Sequence, residues 1–116
     1  MLKNAGDLIS EAQQSITCLD AAGAKVKLNE CPDAVILDVR EESSAQNSKL
    51  DKSINIPRGL LEMMVHKHCP DAETIILTHC AGGGRASLAA HTLKNMGYQN
   101  VYAITAPYQD IKKSLD

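Results

Sequence analysis

A run of three glycines constrains this chain more than any other feature of its sequence. Residues 82–84 are all glycine, and they separate Cys80, which follows an apolar run at 75–77, from a stretch at 86–96 rich in helix-forming residues. The apolar run predicts a strand buried on both faces, and Gly97 suits the end of the helix that follows. A strand, a glycine loop and a helix in succession direct backbone N–H groups and a helix N-terminus at one point, which here is the sulfur of Cys80. Negative charge is stabilised at that point, so the thiolate is favoured and Cys80 is predicted to be a nucleophile.

The alternative is that the glycines form a flexible turn and that Cys80 is a small buried hydrophobic residue. Each glycine adds to the conformational entropy that the chain loses on folding, and a plain turn does not require three of them. The functional interpretation is therefore favoured.

Short apolar segments alternate with helical ones along the rest of the chain, which predicts an α/β fold with a parallel sheet and helices on both faces. No repeat, low-complexity segment or linker interrupts the 116 residues, so we expect one domain over 1–116, with 1–15 as an additional N-terminal helix. The predicted strands are 16–19, 34–37, 54–56, 75–77 and 100–104. The predicted helices are 4–15, 21–30 with Asp20 as N-cap, 58–68 with Leu60, Leu61, Met64 and Val65 inward, 86–96 and 108–115, whereas 43–52 reads as a loop or a poor helix.

Composition and charge exclude several classes of partner. The net charge is −2, and the chain has three tyrosines but no tryptophan or phenylalanine, so neither a nucleic acid nor an anionic membrane surface is an expected partner. No apolar run approaches the roughly 20 residues that span a bilayer. The first residues lack the apolar core of a signal peptide, which predicts a cytoplasmic protein.

The cysteines and histidines do not form a metal-binding pattern. No two of Cys18, Cys31, Cys69 and Cys80 are separated by two residues, and a disulfide framework is not expected in a reducing cytoplasm. The histidines are His66, His68, His79 and His91. His66 and His68 face different directions on a helix, and His79 precedes Cys80 in a strand, so these two side chains point to opposite faces. We therefore predict no metal and no cofactor, and we do not expect His79 to act as a base for Cys80.

Three arginines each follow a predicted strand. They are Arg40, Arg58 and Arg85, and the carboxyl ends of parallel strands form the ligand-binding edge of an open sheet. Arginine binds small oxyanions bidentately, so Arg85 is predicted to be functional and Arg58 is left open between a functional and a structural role. Arg40 is predicted to be structural, in a surface ion pair with Glu41, Glu42 or Glu62. Asp38 is predicted to hold a loop by hydrogen bonds at the strand end.

Two enzyme classes place a cysteine in such a loop. The phosphatase signature is His-Cys, five residues and Arg, but only four residues separate Cys80 from Arg85. The shorter loop leaves room for about one sulfur atom on Cys80 rather than for a phosphoryl group.

The sequence resembles the rhodanese family of sulfurtransferases, in the form of a single domain. The resemblance lies in residues 36–41 (ILDVRE), 53–57 (SINIP), 80–86 (CAGGGRA) and 97–102 (GYQNVY), and it covers roughly 17–104. It implies a three-layer fold with a five-stranded parallel sheet. It also implies that Cys80 accepts a sulfane sulfur as a persulfide from a donor such as thiosulfate and passes it to cyanide or a thiol, or to a protein of a sulfur relay. The loop residues Ala81, Gly82, Gly83 and Gly84 would then stabilise the persulfide, and Arg85 would orient the loop or the donor.

Two segments depart from the family pattern. Residues 49–53 (KLDKS) replace Gly-His-Ile-Pro-Gly, and residues 105–108 (TAPY) replace a Gly-Gly-aromatic turn. Both lie near the predicted active edge, so the donor preference of other members does not carry over. A persulfide carrier that docks to a specific protein, a non-catalytic binding module and a phosphatase with a shortened loop remain alternatives.

Overall fold

The computed structural model describes residues 1–116, and its centre is a five-stranded sheet in which every neighbouring pair is parallel. The strand order is β1-β5-β4-β2-β3, so β4 lies between β5 and β2 in the middle of the sheet. The strands are β1 (Thr17–Leu19), β2 (Val35–Asp38), β3 (Ser53–Asn55), β4 (Ile75–His79) and β5 (Asn100–Ile104). The helices are α1 (Ala5–Ser15), α2 (Ala21–Glu30), α3 (Glu42–Asn47), α4 (Leu61–His68), α5 (Gly84–Met96) and α6 (Tyr108–Leu115), and a 3₁₀ turn at Arg58–Leu60 precedes α4. The predicted parallel α/β fold is confirmed.

Buried side chains cover both faces of the sheet. Ile76 points toward α4 and α5, where Leu61 and Leu93 complete one core, whereas Leu77 points toward α2 and α6 and packs in a second core with Ile111. Successive strand residues alternate between the two faces. A strand that is buried on both faces is apolar at every position, which explains the unbroken run at 75–77.

The N-terminal helix α1 packs against α5. Asn4 caps its first turn in a reciprocal arrangement with Asp7, and Ala12 is buried beneath it. At its other end, the Lys94 ammonium donates a 2.6 Å hydrogen bond to the carbonyl of Ser15. The helix is therefore fixed at both ends.

The segment predicted as a loop or a poor helix contains the short helix α3, Glu42–Asn47. Two details differ from the sequence predictions. Leu60, predicted to face inward, is 48% exposed. Leu60 belongs to the 3₁₀ turn, whose periodicity differs from that of an α-helix, so it does not continue the buried stripe of Leu61 and Val65. Helix α5 begins at Gly84 rather than at residue 86.

No helix of this structure combines the length and the apolar character that crossing a bilayer would require.

Candidate active site

Cys80 lies directly after the central strand β4, and its sulfur is enclosed by the loop that follows. Its Sγ accepts hydrogen bonds from the backbone N–H groups of Gly83 at 3.0 Å and Ala86 at 3.3 Å. The residue is only 2% exposed. Backbone donors that converge on a thiol sulfur stabilise negative charge on it, so the site is suited to a thiolate.

Gly83 gives the loop its shape. Its φ of 102° is in the left-handed region, and a Cβ added there would lie 2.9 Å from the Cα of Thr105. An L-residue is disfavoured by both the backbone conformation and the space. Gly82, in contrast, has open space around the position of a Cβ. The second of the three glycines is therefore the one that the loop conformation requires.

The N-terminus of α5 adds unpaired donors on the same side. The first N–H groups of a helix have no intrahelical acceptor, and those of Gly84 and Arg85 have no acceptor elsewhere in the structure. They lie between the two amides that bind Sγ in the sequence. They are thus backbone donors without a partner in the protein.

Several contacts hold the loop in place. The carbonyl of Ala81 accepts a 2.9 Å hydrogen bond from the N–H of Tyr108, at the start of α6. The Ser87 hydroxyl donates to the Gly83 carbonyl at 2.7 Å, and the Thr78 hydroxyl donates to the Ala86 carbonyl at 2.8 Å. Strand β4, helix α5 and helix α6 therefore all fix the loop.

The three arginines occupy different surroundings. Arg85 is partly exposed beside Cys80 and forms no hydrogen bond or ion pair within the protein. Arg58 donates to Glu62 at 3.2 Å and to the Thr92 hydroxyl at 2.8 Å, and its Nε is buried without a partner. Thr92 lies about 10 Å farther along α5 than Arg85, at 1.5 Å of rise per residue. Of the three, Arg85 is the one whose guanidinium is free for an anion at the loop.

Arg40 forms a buried ion pair with Asp38 rather than the predicted surface pair with Glu41, Glu42 or Glu62. Its guanidinium binds both carboxylate oxygens, at 2.9 and 2.7 Å, and the Ser48 carbonyl at 2.7 Å. Residues two apart near a strand end share one side, which brings these two side chains together. Burial raises the pKa of Asp38, but the hydrogen bonds and charge of Arg40 and the adjacent His79 together outweigh it and leave that pKa lowered. This pair fixes the end of β2 beside the site and does not touch Cys80.

His79 lies on the opposite face from Cys80, as the strand pattern predicted. Its ring stacks on Tyr108 at 5.8 Å between centroids, and Arg40 packs on the Tyr108 ring at 4.0 Å. Both ring nitrogens are buried without hydrogen-bond partners, and burial lowers the pKa of His79. The neutral ring is a packing residue in this arrangement and does not reach the sulfur.

The remaining candidate ligands are dispersed. No three His, Cys, Asp or Glu side chains are placed to hold a metal ion, and all four cysteines are free thiols. Cys18 is exposed on the edge strand β1, Cys31 is half-buried and Cys69 is buried. None of these three has the backbone donors that surround Cys80.

Sequence reasoning did not identify Tyr108 and Ser87 as supports of the loop. Tyr108 lies in one of the two segments that depart from the family pattern, so that departure was a usable signal. Ser87 is fully buried in the alanine-rich part of α5, four residues after Gly83, where a polar side chain needs a partner.

Comparison with known proteins shows the family to which the chain belongs. The family model of the rhodanese-like domain matches residues 21–114, and the chain belongs to that family. Among its relatives, "Putative sulfur carrier protein YrkF" of Bacillus subtilis (strain 168) is 28% identical over 109 residues, which cover 94% of this chain and 58% of that protein. The chain spans 58% or less of the length of the curated relatives that it matches.

Two solved structures are similar over most of the chain. A Rhodopseudomonas palustris CGA009 protein of unknown function, described as a possible tyrosine phosphatase, is 28% identical with a TM-score of 0.81, over 97% of this chain and 92% of that one. The thiosulfate sulfurtransferase from Pseudomonas aeruginosa is also 28% identical, with a TM-score of 0.74, over 86% of this chain and 19% of that one.

Proposed function

We propose that the chain is a sulfurtransferase that carries a sulfane sulfur as a persulfide on Cys80. The observation that carries this proposal is the pair of N–H groups, from Gly83 and Ala86, that converge on a sulfur at the end of the central strand. The free donors of Gly84 and Arg85 and the unpaired Arg85 guanidinium lie beside it. Together they supply a binding site for one additional anionic sulfur.

In the first half-reaction, the Cys80 thiolate attacks the outer sulfur of thiosulfate. A bond forms between Sγ and that sulfur while the bond to the sulfonate sulfur breaks, and sulfite leaves with the electron pair. The negative charge moves from Sγ to the outer sulfur of the persulfide. The amides of Gly84 and Arg85 would donate to this charge, and each well-placed donor of this kind contributes on the order of 3 kcal/mol.

In the second half-reaction, a nucleophilic acceptor removes the outer sulfur. Cyanide attacks it, the sulfur–sulfur bond breaks, and thiocyanate leaves while Cys80 returns to the thiolate. A thiol acceptor would take the sulfur in the same way and become a persulfide. This is covalent catalysis by an activated nucleophile, and neither half-reaction consumes an oxidant or a reductant.

The donor and acceptor are proposals that draw on the relatives. The Pseudomonas aeruginosa protein is a thiosulfate sulfurtransferase, which supports thiosulfate as a donor. The Bacillus subtilis relative carries the name of a sulfur carrier, which supports the second candidate function, a persulfide carrier that delivers sulfur to another protein. Both functions use the same Cys80 persulfide. Free thiols are typical of a reducing compartment, so we place the activity in the cytoplasm.

The experiment compares three activities of the purified chain. Thiocyanate formation from thiosulfate and cyanide tests the enzyme, sulfur transfer to a protein thiol tests the carrier, and phosphate release from an aryl phosphate tests the phosphatase. The matched control is Cys31→Ser, which removes another thiol that lacks backbone donors. We expect thiocyanate formation that Cys80→Ser abolishes and Cys31→Ser retains. Phosphate release that depends on Cys80, with no sulfur transfer, would contradict the proposal.

A further inference from the structure

We propose that helix α1 braces the Cys80 loop and that Gln13 and Ile9 are positioning residues for sulfur transfer. This inference rests on the proposed function and extends it to a helix outside the 21–114 region that the family model matches. Helix α1 lies against the first turn of α5, the turn that begins at the Cys80 loop.

A chain of hydrogen bonds leads from α1 to the loop. The Gln13 side-chain amide donates to the Ser87 hydroxyl at 3.1 Å, and that hydroxyl donates to the Gly83 carbonyl at 2.7 Å. The Ser87 N–H also binds the same carbonyl, at 2.9 Å. Because Gln13 donates to the hydroxyl oxygen, it leaves the hydroxyl hydrogen to point at Gly83.

The Gly83 carbonyl determines where the Gly84 N–H points. Both groups belong to one planar peptide unit, in which C=O and N–H point in opposite directions. A carbonyl fixed toward Ser87, along α5, leaves the Gly84 N–H directed out of the helix N-terminus, toward the side on which the Cys80 sulfur lies. This N–H is one of the two donors that the structure leaves free for the outer sulfur of a persulfide.

Ile9, on the same helix as Gln13, packs beside Gly84. A Cβ added at Gly84 would lie 2.9 Å from the Cδ1 of Ile9, so the Ile9 side chain occupies the space next to this glycine. The Ile9 side chain therefore limits the space into which Gly84 can move. Gln13 and Ile9 are one helical turn apart on α1, so a single face of the helix makes both contacts.

The test compares Gln13→Ala with Gln14→Ala. Both residues are exposed glutamines on α1, but only Gln13 hydrogen-bonds to α5, so Gln14 is the matched control. The readouts are the rate of sulfur uptake from thiosulfate, followed by intact mass, and the deuterium exchange of backbone amides in the 80–87 region.

We expect Gln13→Ala to slow sulfur uptake at saturating thiosulfate by roughly threefold to tenfold. The Gly84 N–H would be less well aligned but still present, so the rate should fall by less than it would if this donor were removed. The half-saturating thiosulfate concentration should change by less than about twofold, because Arg85 is untouched. Deuterium exchange should become faster in 80–87 and stay unchanged in the strands of the sheet. A merely structural effect would instead raise exchange throughout the chain.

If Gln13→Ala matches both the wild type and Gln14→Ala in both readouts, the proposal that α1 braces the loop is overturned. If the wild type takes up no sulfur from any donor, the proposed function fails, and exchange alone then decides the brace. Faster exchange confined to 80–87 in Gln13→Ala would support it, and unchanged exchange would refute it.

Discussion

Replacing Gly83 by alanine should damage both the stability of the fold and the Cys80 site. The residue has a φ of 102°, and the left-handed conformation costs an L-residue about 1–2 kcal/mol. The new Cβ would also lie 2.9 Å from the Thr105 Cα, a backbone atom just after β5 that cannot yield by rotating a side chain. We therefore expect Gly83→Ala to lower the free energy of unfolding by about 2 kcal/mol or more, which corresponds to a fall in Tm of about 8 °C for a domain of this size. Sulfur transfer should fall by about tenfold or more, since the Gly83 N–H that binds Sγ moves with the loop.

Two other glycines separate these effects. Gly82→Ala places a Cβ in open space, so stability should change by less than about 0.5 kcal/mol. Gly97 has a similar φ of 111° with open space around it, at the far end of α5. Gly97→Ala should lower the free energy of unfolding by about 1–2 kcal/mol and leave the activity unchanged. Thermal unfolding and thiocyanate formation measure both quantities. A Gly83→Ala protein as stable and as active as Gly82→Ala would refute the assignment of loop shape to Gly83.

Three further predictions follow from the charged groups. Asp38→Asn leaves the buried Arg40 charge uncompensated, and urea unfolding should show a loss of about 3–5 kcal/mol; an unchanged midpoint would contradict the buried pair. Burial lowers the pKa of His79, so below about pH 6.5 the unfolded chain binds a proton that the folded chain does not, and stability should fall as the pH drops from 7 to 5. His79→Phe keeps the stack on Tyr108 and should make the urea midpoint less dependent on pH over this range. A midpoint that falls as steeply with pH as in the wild type would refute the role of His79. Arg85→Ala should raise the half-saturating thiosulfate concentration by about tenfold while Tm stays nearly constant, since Arg85 has no partner in the protein; an unchanged concentration would place the donor elsewhere.

Local signals were sufficient to predict most of the fold. The strand at 100–104 and the helix at 108–115 have the predicted bounds. An apolar run defines the strand, and Pro107 defines the start of the helix. The opposite orientations of His79 and Cys80 also follow from strand geometry alone. The prediction that Leu60 faces inward was wrong because the sequence does not distinguish a 3₁₀ turn from the first turn of an α-helix.

The supports of the candidate site could not be predicted in the same way. Gln13 and Ser87 are 74 residues apart, and their contact depends on how α1 packs on α5. The contact between Ala81 and Tyr108 likewise depends on where α6 returns to the sheet edge. Arg40 was assigned to surface carboxylates because its neighbours in sequence are acidic, while burial decides its partner. Contacts of this kind are fixed by tertiary packing and leave no short-range pattern.

Intact mass before and after incubation with thiosulfate, for the wild type beside Cys80→Ser and Cys31→Ser, decides whether Cys80 carries the sulfur. We expect the wild type and Cys31→Ser to gain the mass of one sulfur atom and to lose it again on addition of cyanide, while Cys80→Ser gains nothing. Sulfur uptake that survives Cys80→Ser would contradict this expectation.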